Sequence, residues 1–223
     1  MSEGGGIGAR EGYDLWAPAY DGFDNPMIAL ASRAIDAAAL PVSGKRFLDI
    51  GCGTGRNLAW ALGKGAAHIT GLDGSPGMLA QAREKLGSDA TLIERDLSGD
   101  WGLAPASYDI ACISLVLEHF PKVAPLIAQA AAAIVPGGLL FVAEMHADLA
   151  RGGTGAHFEK DGKRHALPSY AHDRAEFEAA LKAAGFAAAV YVDWRADDHA
   201  AAVPKLAKHS GKSALLSLTA KRA

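Results

Sequence analysis

The sequence predicts an α/β protein built on a doubly wound, mostly parallel seven-stranded sheet with an antiparallel edge strand. Three observations carry this. Short runs that are apolar on both faces alternate with helical segments from residue 46 to residue 145. Glycines at 51, 53 and 55 break the first of these strands into a helix. Two strand-like runs, 190–194 and 213–219, then close the chain, joined by a connection short for a crossover helix. Strands without a polar face need helices on both sides, which is the signature of a parallel sheet. Two final strands of that kind suggest a hairpin-like reversal at one sheet edge.

Taken in order, residues 1–9 are glycine-rich and read as a disordered tail. A single domain is expected over 10–223, with lid helices in 10–40 and a substrate-covering insertion in 146–172. Pro26 opens an alanine-rich helix over 26–39, with Ile28, Ile35 and Leu40 inward. Strands are expected at 46–50, 68–72, 90–94, 108–114 and 139–144, with helices at 56–62, 76–86 and 122–134 between them. The stretch 146–172 is polar and broken by Gly152-Gly153, Gly155 and Asp161-Gly162. Within it, 157–165 reads as a small hairpin around the Asp-Gly turn. Asp173 caps a helix through Ala184, and Gly185 stands just past its end.

Composition narrows the class. With 223 residues, half of them hydrophobic and 21% charged, the chain fits one domain with a good core. A formal charge of −3 gives no general attraction for nucleic acid or anionic lipid, so neither partner is expected. Cys52 and Cys112 are too few for a disulfide framework and lack metal-ligand spacing; they read as buried free thiols, and no metal site is expected. No apolar run approaches the ~18 residues of a membrane span. The first ten residues hold no hydrophobic signal core. A cytoplasmic enzyme is the expectation, with its oligomeric state open.

The chemistry gathers at strand ends. Gly51-x-Gly53-x-Gly55 is one residue shorter than the G-x-G-x-x-G of dinucleotide sites. The second strand runs into Gly71-Leu72-Asp73, placing a carboxylate where it can accept both hydroxyls of a ribose. The third ends near Glu94-Arg95-Asp96-Leu97, where a carboxylate beside an apolar residue can accept the amino group of an adenine. Any one such aspartate is most simply a helix cap. Acidic residues at the ends of three successive parallel strands instead point to one ligand at the carboxyl rim, where ligands bind in this architecture.

Over residues 13–145 the chain resembles the class I S-adenosylmethionine-dependent methyltransferases. The resemblance rests on five segments in order: 48–55, 71–79, Asp96-Leu97, 108–119 with its Ser114-Leu115-Val116-Leu117-Glu118-His119, and Pro136-Gly137-Gly138. Upstream, residues 13–21 resemble the lid of small-molecule members related to the ubiquinone- and biotin-pathway enzymes. The resemblance implies S-adenosylmethionine as cofactor. It implies that Asp49 orients the glycine loop and the methionine amino group, while Gly51, Gly53 and Gly55 admit the cofactor closely. Asp73, beside Gly74, would bind the ribose, Met78 would pack on the adenine, and Asp96 with Leu97 would fix its edge. Leu115 and Val116 would floor the sulfonium, and Tyr20 would close the lid. Trp16 reads instead as a staple on the following helix.

Methyl transfer from a sulfonium releases a neutral leaving group, so positioning and desolvation carry much of the rate. A general base is needed only where the acceptor must lose a proton. His119 after the fourth strand and His146 after the fifth are the candidate bases. Tyr13, His157, Arg164, Tyr170 and His172 are the candidate substrate contacts, and Arg151, Lys163 and Arg164 could pair an acidic acceptor. The fourth motif lacks the Asn/Asp-Pro-Pro-Tyr of nucleobase and glutamine-amide methylation, and no basic stripe with interleaved aromatics suggests RNA or DNA. A small organic acceptor methylated at O or C is therefore expected. The competing readings are a nicotinamide-dependent oxidoreductase on the same fold, and an S-adenosylmethionine-binding protein without turnover.

Overall fold

A computed structural model describes residues 8–187 and 189–223. Its sheet contains β1 (Arg46–Ile50), β2 (His68–Asp73), β3 (Ala90–Glu94), β4 (Tyr108–Ser114), β5 (Ile134–Met145), β8 (Val190–Arg195) and β9 (Ser213–Lys221). The strand order is β3-β2-β1-β4-β5-β9-β8. The first five are mutually parallel, whereas β9 runs antiparallel to both β5 and β8. The reversal lies at one side of the sheet as expected, with β9 inserted between β5 and the edge strand β8. Chain order reverses between β1 and β4, so the ends of β1, β2, β3 and β4 form the rim of one crevice.

Alternation along the strands divides the core in two. Phe47, Ile69, Ile110, Cys112 and Phe141 face one layer, formed by α2 (Pro26–Ala37), α3 (Arg56–Gly63) and α4 (Pro76–Leu86). Leu48, Ile50, Ala111, Ile113 and Leu140 face the other, formed by α5 (Ala124–Ala133) and α7 (Arg174–Ala183). The period of two places neighbours on opposite faces, and both faces are apolar because both are covered. Both cysteines are free and buried.

Several boundaries differ from those the sequence suggests. Ala9 already begins α1 (Ala9–Tyr20), and residues 1–7 of the proposed tail lie outside the described residues. The helix at Pro26 buries Met27, Leu30, Ala31, Ala34 and Ile35, while Ile28 is only partly buried. Strand β5 starts at Ile134 rather than 139, because the chain pairs with Tyr108 before bulging through Pro136-Gly137-Gly138. The polar stretch after β5 forms α6 (Ala147–Arg151) and then the hairpin β6 (His157–Lys160) and β7 (Lys163–Ala166). The final connection holds one turn of helix, α8 (Ala196–His199), and a 3-10 segment, Pro204–His209.

Candidate active site

The rim encloses a cavity of about 390 Å³. Its floor is the glycine loop. Gly51 and Cys52 both donate backbone N–H groups to the Leu72 carbonyl, at 2.8 and 2.9 Å, which bends the chain over β2. Gly51 has φ +71°, and a Cβ there would lie 2.3 Å from Cγ2 of Val116; only glycine lets the two loops touch. Gly53 has φ +52° and no heavy atom near the position of a Cβ, so this bare backbone faces open cavity. Gly55, at φ +82°, caps α3 and packs against Ala82 and Leu86, away from the cavity lining.

Asp73 stands at the end of β2 and lines the cavity. Its Oδ2 accepts the N–H of Gly53 and its Oδ1 the N–H of Ser75, each at 2.8 Å. Burial raises its carboxyl above the ordinary range, against the pull of those two donors. Each oxygen keeps a lone pair for a hydroxyl. Replacement of Asp73 by alanine is expected to weaken S-adenosylhomocysteine binding by ~1–3 kcal/mol, read by calorimetric titration. Unchanged affinity in a folded variant would remove Asp73 from the ribose site.

Gly74, Met78, Asp96, Leu97 and Ser98 continue this wall. Met78 is fully enclosed on α4, whose first turn is capped by Ser75 Oγ accepting the Met78 N–H at 3.1 Å. Asp96 Oδ1 accepts the Ser98 hydroxyl at 2.7 Å and its N–H at 2.9 Å, which holds the carboxyl below its usual value. Asp49 is buried behind the loop and does not line the cavity; its Oδ1 accepts Asn57 Nδ2 at 3.3 Å while Oδ2 has no partner among the described residues. Burial lifts its carboxyl to about 6. Asn57, which does line the cavity, stands between Asp49 and any ligand.

Helix α1 forms the cover. Tyr13 and Tyr20 are seven residues apart, hence on one helix face, and both enter the lining. Two aspartates fasten this helix down. Asp14 Oδ1 accepts Ser75 Oγ at 2.6 Å and the Gly77 N–H at 2.8 Å, satisfying the start of α4. Asp21 accepts the Thr54 hydroxyl at 2.7 Å and Lys85 Nζ at 2.9 Å. Trp16 does not staple α2. It stacks on Phe158 of β6 with ring centroids 5.5 Å apart, so the insertion packs directly onto the cover.

Opposite the glycine loop, Leu115 adopts φ +58° and lines the cavity with Val116, His119, Phe120 and Pro121. His119 Nδ1 lies 2.7 Å from the Pro168 carbonyl, which can only accept, so Nδ1 carries the proton. The other ring nitrogen, Nε2, then accepts the Tyr13 hydroxyl at 2.8 Å. Burial, with the carboxylates of Glu118 and Glu144 adding to it, raises the Tyr13 phenol well above its ordinary value. The insertion braces this loop further. Tyr170 N–H reaches the Glu118 carbonyl at 2.6 Å, Ser169 Oγ reaches Glu118 Oε2 at 3.2 Å, and buried His172 touches the Leu117 and Phe120 carbonyls.

The remaining candidates lie elsewhere. His146 caps α6, accepting the Asp148 N–H at 3.2 Å, and its other ring nitrogen is 3.7 Å from Asp193 of β8. It is outside the cavity lining because β9 and β8, not the crevice, flank the end of β5. His157 bonds the Gly155 carbonyl, Arg164 is exposed on β7, and the Tyr170 side chain is 43% exposed; none lines the cavity. Arg151 pairs with Asp173. Conversely, Arg56 and Asn57 line the cavity though no motif spacing marks them.

An adenosine-bearing ligand fits these groups: bare backbone at Gly53, hydroxyl acceptors at Asp73, and an apolar slot between Met78 and Leu97. Fold and site therefore define a protein that binds such a cofactor at the carboxyl rim of a parallel sheet. The chain belongs to the S-adenosylmethionine-dependent methyltransferases, the family described as "Methyltransferase domain" matching residues 23–190. It is similar to an uncharacterised methyltransferase of Emericella nidulans, with 34% identity over 79% of this chain and 74% of that protein. It is also similar to the ubiquinone biosynthesis O-methyltransferase of Xylella fastidiosa, with 37% identity over 60% of this chain and 56% of that one. The chain thus spans little more than half the length of that relative. A solved S-adenosylmethionine-dependent methyltransferase from Mesorhizobium loti superposes with TM-score 0.72 and 26% identity, over 85% of this chain and 96% of that one. The protein is an enzyme that uses S-adenosylmethionine. Among the described residues no helix is long and apolar enough to cross a membrane, and no group of three His, Cys, Asp or Glu could hold a metal ion.

Proposed function

We propose that the enzyme methylates a hydroxyl oxygen of a small organic acceptor, with His119 as the proton acceptor. The observation that carries this is the Tyr13–His119–Pro168 chain at the cavity wall: a fixed tautomer presents a basic nitrogen to a phenol inside the site. Similarity to a ubiquinone biosynthesis O-methyltransferase supports oxygen as the acceptor atom.

S-adenosylmethionine supplies an electrophilic methyl group on a positively charged sulfur. Asp73, Gly53, Met78 and Leu97 would hold it, and α1 would cover it. Tyr13 passes its phenolic proton to His119 Nε2 while taking the acceptor's hydroxyl proton, so the acceptor oxygen gains the lone pair it needs. Pro168 stabilises the imidazolium through its carbonyl, and Glu118, buried beside it, adds favourable charge. Tyr20 and Tyr13 exclude water, which would otherwise compete for the same methyl group.

The test is a metabolite-extract screen with methyl-labelled cofactor, followed by identification of the labelled atom in each product. An O-methyl product is expected. Label found only on carbon or nitrogen would refute oxygen as the acceptor.

A further inference from the structure

We propose that His172 is a positioning residue for the proton transfer: it fixes the turn that carries His119, and with it the place of His119 Nε2 against Tyr13. The proposal rests on the reading of His119 as the proton acceptor. His172 closes the insertion after β5 and is 7% exposed. Its Nε2 lies 3.0 Å from the Leu117 carbonyl oxygen and 2.9 Å from that of Phe120. A carbonyl only accepts, so this Nε2 carries a proton and shares it between the two oxygens. Glu176 of α7 holds the other end of the ring, with its Oε2 2.8 Å from Nδ1, while its Oε1 accepts the Val123 N–H at 3.4 Å.

The two carbonyls bracket the 3-10 turn Leu117–His119, one at its first residue and one at the residue that closes it. Joined at a single nitrogen, they fix the backbone on both sides of His119 and so the direction of its Cα–Cβ bond. Only the side-chain torsions remain, and the Pro168 carbonyl sets those through Nδ1 of His119. The cofactor side of the same loop is secured separately. The Leu115 N–H bonds the Ala143 carbonyl at 2.8 Å, and Glu144 takes the N–H groups of Val116 and Leu117. Leu115 and Val116, which line the cavity, therefore keep their anchors when His172 is changed. His172 itself is outside the lining, so its influence on the reaction runs through His119. Displacing a reacting group by about 1 Å costs on the order of 10²-fold in rate.

Two polar variants divide the ring's contacts. The amide of His172→Gln stands near the place of Nε2 and keeps a donor for both carbonyls; that of His172→Asn stands near Nδ1 and loses them. With isotope-labelled histidine, the NMR signals of the His119 ring, assigned from their loss in His119→Ala, should move in His172→Asn and stay in place in His172→Gln. Calorimetric affinity for S-adenosylhomocysteine should stay within about threefold of wild type in both. With the acceptor found by the extract screen, kcat should fall ~10–100-fold in His172→Asn and less than about fivefold in His172→Gln. In a His119→Ala background the asparagine substitution should cost nothing further, because the base it would misplace is already gone. His119 signals unmoved in folded His172→Asn, equal losses in the two variants, or an undiminished loss in the His119→Ala background would each assign His172 to the scaffold and overturn the proposal. Near-normal turnover by His119→Ala alone would strike the base reading and the proposal with it, and that single variant tells the two failures apart.

Discussion

His119→Ala is expected to lower kcat by on the order of 10²–10⁴-fold, the usual worth of a positioned general base. Affinity for S-adenosylhomocysteine should change little, because no cofactor-holding residue bonds to the imidazole. Tyr13→Phe should cost less: without the phenol, Nε2 is open to the acceptor hydroxyl directly, and the loss is one of relay and alignment. A further variant, His119→Gln, keeps a group of similar length without comparable basicity and should remain as slow as alanine. Single-turnover kinetics with labelled cofactor read the chemical step itself. Near-normal turnover by His119→Ala on a hydroxyl acceptor would remove the base from the mechanism and leave positioning alone.

Glu144→Gln should change how stability depends on pH. Glu144 lies in the last residues of β5, behind the loop of Val116 and Leu117, and is 3% exposed. Its Oε1 accepts the N–H groups of Val116 and Leu117 at 2.9 and 3.0 Å, while Oε2 is without a partner among the described residues. Burial raises the carboxyl from 4.5 to about 8, with the two backbone donors opposing and Glu118 adding like charge. Between these values the folded protein holds one proton more than the unfolded chain. Stability therefore falls as pH rises through that window and is fullest below it. Glutamine keeps the acceptor for both N–H groups and carries no titrating proton. Relative to wild type, the variant should gain roughly 3–5 kcal/mol between about pH 5 and about pH 8. Urea unfolding at the two pH values measures this, and parallel pH profiles for the two proteins would show that Glu144 does not titrate in the fold.

These groups mark where sequence reasoning succeeds and where it stops. Strand periodicity, glycine spacing and the order of acidic residues lie within local windows, so the sheet and the line Gly51, Gly53, Asp73 and Asp96 were legible. Ends of elements were less so, because β5 gains a pairing with Tyr108 that only the neighbouring strand supplies. His146 occupies a rim position in sequence terms but faces Asp193, since the antiparallel pair β9 and β8 flanks that strand end. Asp14 reaches Ser75, 61 residues on, and Arg56 reaches Ser114, 58 residues on. Neither contact leaves a local pattern, because nothing within a turn of either residue records its partner. Trp16 misled for the same reason: an aromatic before a helix resembles a staple, and its partner Phe158 lies far along the chain.

Asp14 joins two parts of the enzyme that perform different tasks. It sits on the cover, yet it completes the first turn of α4, the helix that carries Met78. Any displacement of α1 would take that acceptor from Ser75 and Gly77 together. The first turn of the Met78 helix thus takes part of its hydrogen bonding from the helix that lies over the cavity.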